Sequence, residues 1–316
     1  MSDFIFSLSV TLPIFLVMLL GWVLRRIGIL TEEFVSTANK FNFKVTLPVM
    51  LFRDLSGVDV KAVFDLKFVL FCAGATVVCF WLIWGAARLW VKDSSIRGAF
   101  VQASFRSSAA VMGLAFIDNI YGASAMGSLM IIGAVPLYNI FSVVVLVFEA
   151  NEEGEARQTG KIKEALWGIA KNPIILAILI GTVCGLLQID FPIMVDKTVG
   201  SVAQLATPLA LIGLGAGFEG KKAVQKLKPT MAAAAIKLVI QPLVLIPCAI
   251  ALGFTGEKLI AILIMLAAPT TPSCYIMAKN MKNDGVLTAS VVVVTTLLAA
   301  FTLTGWIFVL RLMAYI

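Results

Sequence analysis

The sequence contains no histidine. That absence removes His-ligated metal sites, Ser-His-Asp and Cys-His nucleophiles, and histidine proton switches. Charge is scarce as well. Only 14% of the 316 residues are Asp, Glu, Lys or Arg, where a soluble domain carries about 25%. So few charges cannot solvate a water-soluble globule of this length, which excludes a soluble enzyme. The five cysteines (Cys72, Cys79, Cys184, Cys248, Cys274) sit inside apolar runs with no paired framework, so buried free thiols are expected.

What the chain has in excess is apolar surface: 60% of residues are hydrophobic and the mean hydropathy is +0.99. Lipid is the solvent that tolerates this, and a helix needs about 20 apolar residues to span it. Apolar runs separated by charged or turn-rich breaks predict ten helices, near residues 5–24, 34–55, 67–87, 98–117, 124–148, 172–190, 197–218, 230–253, 259–280 and 286–310. The expected fold class is an all-α polytopic membrane protein with little outside the bundle.

The first span follows Asp3 and no basic residue, which predicts a retained helix with its amino end outside. With that orientation, 16 of the 25 Lys and Arg fall at inner loops and span ends, six lie outside and three within spans. The bias places both termini outside a cell (inner) membrane. It also gives the net charge of +7 a role in topology rather than in nucleic-acid binding. The longest loop, 149–171, carries Glu149, Glu152, Glu153 and Glu155 and ends in an amphipathic stretch from Ile162 to Ile169, as a cytoplasmic linker would.

Landmarks recur at a spacing of 160 residues: Pro13 with Pro173, Gly21 with Gly181, Pro48 with Pro208, Gly57 with Gly217 and Lys61 with Lys221. Duplication divides the chain into a first five-helix repeat (1–148), the linker and a second five-helix repeat (172–316). An odd number of helices per unit makes the repeats inverted, and inverted repeats point to secondary transporters whose substrate sits near the midplane.

The ninth span contains Pro269-Thr270-Thr271-Pro272-Ser273. Two prolines remove two backbone donors and clash with the preceding turns, and backbone freed at this depth must be buried in protein or line a cavity. A broken crossing helix is expected there. At the 160-residue spacing its partner is Arg106-Ser107-Ser108-Ala109 running to Gly113, a small polar stretch without proline. Broken helices aim half-helix amino ends at the crossing, where N–H groups and dipoles favour an anion. The cations left at depth are Lys44, Arg106 and Lys237, with no acidic residue clearly beside them. Arg106 is the candidate for gripping a carboxylate with its planar fork. Alternatively it braces loosened carbonyls, and Lys44 and Lys237 suit the inner span end and helix bracing. Gly213, Gly215 and Gly217 predict close packing, against a second subunit or within the chain.

With these features assembled, the chain resembles the auxin efflux carrier family, which includes PIN-type carriers and bacterial malonate and malate permeases. The resemblance is carried by Asn42-Phe43-Lys44-Val45-Thr46-Leu47-Pro48, by Phe105-Arg106-Ser107-Ser108 leading to Gly113, and by Val135-Pro136-Leu137-Tyr138-Asn139. Lys237-Leu238 with Gln241-Pro242, and Ala267-Ala268-Pro269 with Ser273-Cys274-Tyr275, complete it. It implies crossing helices four and nine, broken around Ala109, Gly113, Pro269 and Pro272, in an elevator-like carrier that is often a homodimer. The substrate-binding candidates are Arg106, Ser107, Ser108, Asn139, Lys237, Thr270, Thr271 and Ser273. One departure is Ser108, where many relatives carry asparagine. Serine has a shorter reach and fewer donors, and together with the short linker this favours a small mono- or dicarboxylate over an auxin-like aromatic.

The expected function is carriage of that organic anion with no cofactor or metal, by uniport or coupled to protons or sodium. Asp65 near the outer end of span three is the one carboxylate for a relay. A sodium-coupled symporter of the bile-acid type is the alternative, with Asn139, Gln204, Thr270 and Thr271 as oxygen ligands. An intramembrane enzyme would want paired acids or a nucleophile with a base at depth. A non-transporting sensor would bind ligand without flux.

Overall fold

In the computed structural model the described residues are 2–57, 65–109, 117, 120, 125–150 and 161–316, and among them the regular structure is entirely helical. Among the described residues five helical stretches are long and apolar enough to cross a membrane: Leu66–Trp90, Met126–Phe148, Ile193–Ala216, Leu227–Ala251 and Gly285–Leu312. The first expected span is the unbroken helix Ser2–Arg26; others are interrupted or shorter, and the interruptions make the site.

In chain order the helices are α1 (Ser2–Arg26), α2 (Glu32–Phe41), α3 (Leu47–Ser56), α4 (Leu66–Trp90), α5 (Ser94–Phe105) and α6 (Ala125–Phe148). Then come α7 (Lys161–Ala170), α8 (Pro173–Leu186), α9 (Ile193–Gln204), α10 (Ala206–Ala216) and α11 (Gly220–Gln225). The last five are α12 (Leu227–Ala235), α13 (Gln241–Ala251), α14 (Gly256–Ala267), α15 (Ser273–Asn280) and α16 (Gly285–Leu312). The expected amphipathic stretch of the linker is α7. Lys61, Gly113 and linker residues 151–160 lie outside the described residues.

Helix starts follow capping chemistry. Thr31, Asp65, Asp93, Asn172 and Asp284 each accept a backbone N–H from the first turn of the helix that follows, satisfying donors that a helix cannot satisfy itself. Prolines explain the irregular interiors. Pro48 and Pro242 each follow a π-turn, Asn42–Thr46 and Ile236–Ile240, joining α2 to α3 and α12 to α13. A proline clashes with the carbonyl four residues earlier. For Pro242 that carbonyl belongs to Leu238, and it instead accepts the indole N–H of Trp306 at 3.0 Å. Likewise α9 stops at Gln204, four residues before Pro208.

Glycines bring helices into backbone contact. A side chain on Gly21 would overlap the Ile212 backbone, and one on Gly181 would overlap that of Phe52. Both positions of the first contact shift by 160, in opposite senses, to give the second. Gly215 seats against the Met18 carbonyl, Gly185 against that of Leu55, Gly213 against Asn39 and Gly217 against the Tyr275 hydroxyl. The glycines expected to pack against a neighbour therefore do so within the chain. Small residues that allow backbones to touch replace the hydrophobic drive that lipid cannot supply.

The main core joins α3 to α6, α8 and α12 to α16, and a smaller, separate cluster joins Met18 and Leu214 to Tyr275 and Val292. At the end of α6, buried Glu149 takes Trp84 Nε1 at 2.8 Å, Arg88 Nε at 3.0 Å and Arg97 Nη1 at 3.2 Å. Burial pushes this carboxyl up. The bonds from Trp84 and Arg88 and the charges of Arg88 and Arg97 outweigh that and hold it below the usual range.

Candidate functional site

Two half-helices of 12 residues, α5 and α14, end beside one another. Their first residues, Ser94 and Gly256, and their last, Phe105 and Ala267, are 162 apart, two more than the spacing of the earlier landmarks. The backbone leaves the helix at Arg106 (ψ 135°) and at Ala268 (ψ 150°). The chain segments meet where Ser108 N–H donates to the Pro269 carbonyl at 2.9 Å. The segment that meets Pro269 is the Arg106-to-Ser108 stretch, at a register two residues from the expected one.

A helix end leaves carbonyls without donors, and burial makes each one costly. At the end of α14, Pro269 and Pro272 cannot donate to Met265 and Ala268. Tyr138 Oη donates to Met265 O at 3.0 Å, and Ser107 Oγ to Ala268 O at 3.3 Å. Lys237 Nζ donates to Leu266 O at 2.6 Å. The Leu266 carbonyl is free because the Thr270 N–H turns to Thr295 Oγ1, at 3.1 Å. At the end of α5, Ala103 O accepts from Thr270 Oγ1 at 2.7 Å and Ser104 O from Gln241 Nε2 at 2.6 Å. Each half-helix is thus capped by side chains from across the crossing.

Arg106 is 3% exposed. Its Nη2 donates to Asn139 Oδ1 at 2.6 Å and its Nη1 contacts Met277 Sδ. Among the described residues no carboxylate lies within ion-pair distance of it. Guanidinium does not deprotonate in proteins, so among the described residues the crossing carries a buried cation met by neutral dipoles and no carboxylate.

Beside the crossing is a cavity of about 50 Å³. Ser108, Thr271, Pro272 and Ser273 form one wall, and Ile14, Asn42, Met50 and Thr207 belong to the other. About 10–15 Å³ of such space suffices for one water, so the cavity has room for a few water molecules. The amino end of α15 opens onto it with no side-chain cap, leaving the positive end of a helix toward the cavity. Asn42 Nδ2 is held by Ala206 O at 2.9 Å and its Oδ1 accepts from Thr46 at 2.8 Å.

The structure brings Ser108, Thr271 and Ser273 to the cavity, with the Thr271 and Ser273 hydroxyl oxygens 3.2 Å apart. Arg106, Ser107, Asn139, Lys237 and Thr270 stand behind the wall, bonded to one another's helices. Pro269 and Pro272 lie in the break, and Ala109 is buried just after its counterpart. Lys44 is exposed on the bundle surface. Of the oxygen set considered for sodium, Gln204 is exposed, Asn139 Oδ1 holds a guanidinium and Thr270 Oγ1 caps α5. Asp65 caps α4 and pairs with Lys258 at 2.5 Å. Asn42, Met50, Thr207 and Gln241 were not singled out as site residues. The Pro48–Pro208 match marks irregular helices close to Asn42 and Thr207, and it does not say that they face one cavity.

Comparison with known proteins agrees with this geometry. Residues 6–307 match the family described as membrane transport protein. The chain is 24% identical over 316 residues to "Uncharacterized transporter YfdV" of Escherichia coli K12, covering 98% of this chain and 99% of that one. It is 24% identical over 317 residues to an "Uncharacterized transporter" of Methanothermobacter thermautotrophicus, covering 97% and 99%. It is also 24% identical over 311 residues to the "Putative malonate transporter" of Rhizobium meliloti, covering 96% and 95%. A polytopic helical chain with two half-helices meeting at a crossing, matched along nearly its whole length, belongs to the auxin efflux carrier family of membrane transport proteins.

Proposed function

We propose that this protein is a secondary carrier for a small organic anion, a carboxylate of the malonate class, held at the crossing and moved by elevator-like alternating access. The observation that carries the reading is the buried Arg106 guanidinium with no carboxylate partner among the described residues. A cation at this depth costs about 2.5–3.5 kcal/mol on insertion scales, and an anionic cargo would offset that. Ser108, Thr271, Ser273 and the amino end of α15 would hold the carboxylate oxygens. Arg106 would supply the potential from behind the wall. Asn139 and Lys237 would brace it, the one by fixing the guanidinium and the other by capping α14.

The reading includes two inverted five-helix repeats. It is supported by the exchanged glycine contacts Gly21–Ile212 and Gly181–Phe52 and by the two 12-residue half-helices. In this reading α1, α3, α8 and α10 form the frame, and the half-helix bundle moves along the smaller apolar cluster at Met18, Leu214, Tyr275 and Val292. Both termini lie outside a cell membrane, and a homodimer would be built from two frames. Coupling is to protons or sodium, or to neither, and no cofactor takes part. The malonate relative supports the substrate class.

The test is a stability-shift screen of the purified protein against small mono- and dicarboxylates, in sodium and in sodium-free buffer, followed by uptake into proteoliposomes. A saturable shift with one carboxylate class and matching uptake is expected. A shift without uptake would indicate a sensor, and uptake of neutral or cationic solutes alone would remove the anion reading.

A further inference from the structure

We propose that the groove between the last turns of α1 and α10 is a binding site for an anionic glycerophospholipid, separate from the substrate site. The groove has a volume of about 850 Å³, against about 50 Å³ at the crossing. Its walls are apolar: Phe15, Leu19, Trp22 and Leu214, closed at the back by Val293 of α16. Leu19 and Trp22 are exposed on a helix of a membrane protein, so what they meet is acyl chain and interface.

Its rim is basic. Arg25, Arg26, Lys221 and Lys222 surround the mouth with Glu219 as the one acid of the lining. Glu219 is taken by Lys222 at 2.7 Å and Arg25 faces Glu32 at 3.5 Å. The Arg26 guanidinium stacks 5.1 Å from the Trp22 ring. Among the described residues Arg26 and Lys221 have no carboxylate partner. Two free cations above an apolar trough match a phosphate head joined to acyl chains, and basic pockets between membrane helices bind such head groups. An interfacial Trp beside them sits at head-group depth. A small dicarboxylate complements the rim and not the walls; a zwitterionic lipid complements the walls and gains less at the rim.

The experiment uses the full chain in detergent, read by native mass spectrometry. Its probes are phosphatidylglycerol, phosphatidylcholine with the same acyl chains, and glycerol phosphate. Phosphatidylglycerol should be retained over phosphatidylcholine by roughly thirtyfold, the worth of two cations near an anionic surface. Arg26→Gln with Lys221→Gln should reduce that preference nearly to parity. Val293→Trp, which keeps the rim and fills the trough, should lower retention of both lipids. Equal retention of the two lipids by the wild type, or a preference that survives the double substitution, would overturn the proposal. So would binding of glycerol phosphate as tight as that of phosphatidylglycerol, which would mark a vestibule for soluble anions, or a lipid-free dimer that covers the rim. None of these readouts depends on transport.

Discussion

The break after Ala267 is dictated by its own sequence, because Pro269 and Pro272 cannot complete the helix that precedes them. The break after Phe105 contains no proline. It is held open by groups from elsewhere: the Thr270 hydroxyl, the Gln241 amide and the Pro269 carbonyl. One side of the crossing is therefore self-determined and the other is contingent. Whatever shifts α13 or the second break will be felt at Ser108, on the cavity wall, whereas the second break keeps its prolines whatever happens to the Ser107 and Tyr138 caps it takes from the first half. This asymmetry between two half-helices of equal length gives the crossing a rigid partner and a responsive one.

The largest expected effect lies in the contingent break. Arg106→Ala should cut carboxylate uptake by on the order of a hundredfold, as loss of a buried charge partner does, while folded protein still reaches the membrane. Unchanged uptake in proteoliposomes would take Arg106 out of the mechanism. Next, Lys237→Met leaves the Leu266 carbonyl without a donor. It should lower stability by about 2 kcal/mol, measured by thermal unfolding in detergent, with Tyr138 still capping Met265.

Gln241→Leu sharpens the comparison most. It should cost about 1 kcal/mol and should speed hydrogen exchange at the Ser108 amide, while the Thr270 amide stays protected by Thr295. Equal acceleration at both breaks would contradict the distinction drawn between them. The smallest effect is expected at the far end of α14, where Asp65 meets Lys258. The hydrogen bond from Lys258, with that of the Phe68 amide, holds the Asp65 carboxyl below its ordinary value of 3.8. Its stabilisation is therefore complete above that value and is lost as pH falls through the lower folded one. The difference in melting temperature between the wild type and Asp65→Asn should shrink on acidification, and a difference that grows would contradict the pairing.

How much of this was legible in the sequence follows the same division. The proline break could be read directly, as could the apolar spans and the presence of a cation at Arg106. The extent of the first break could not be read from its own residues, since Phe105-Arg106-Ser107-Ser108 carries no obligatory helix stop and its conformation comes from tertiary donors. The 160-residue spacing holds where glycines touch backbones, at Gly21 and Gly181, and slips to 162 at the half-helices because loop lengths are free to differ. Lys237 was legible as a buried cation, and only the fold says that its reach ends on the Leu266 carbonyl rather than in the cavity. The far wall at Asn42 and Thr207 depends on how two distant helices meet, which no local pattern encodes. The Glu149 cluster was hidden for a related reason: Trp84, Arg88, Arg97 and Glu149 converge from three helices.

The central claim is that the cavity walled by Ser108 and Thr271 is where the cargo rides. The most direct measurement places a reporter there: Ser108→Cys in a background with the five native cysteines replaced, reconstituted in vesicles and treated with membrane-impermeant thiol reagents from each side. The account predicts labelling from both sides in turn, suppressed by the carboxylate that shifts stability and not by a neutral analogue. Labelling that is indifferent to that carboxylate, or confined to one side under every condition, would contradict it.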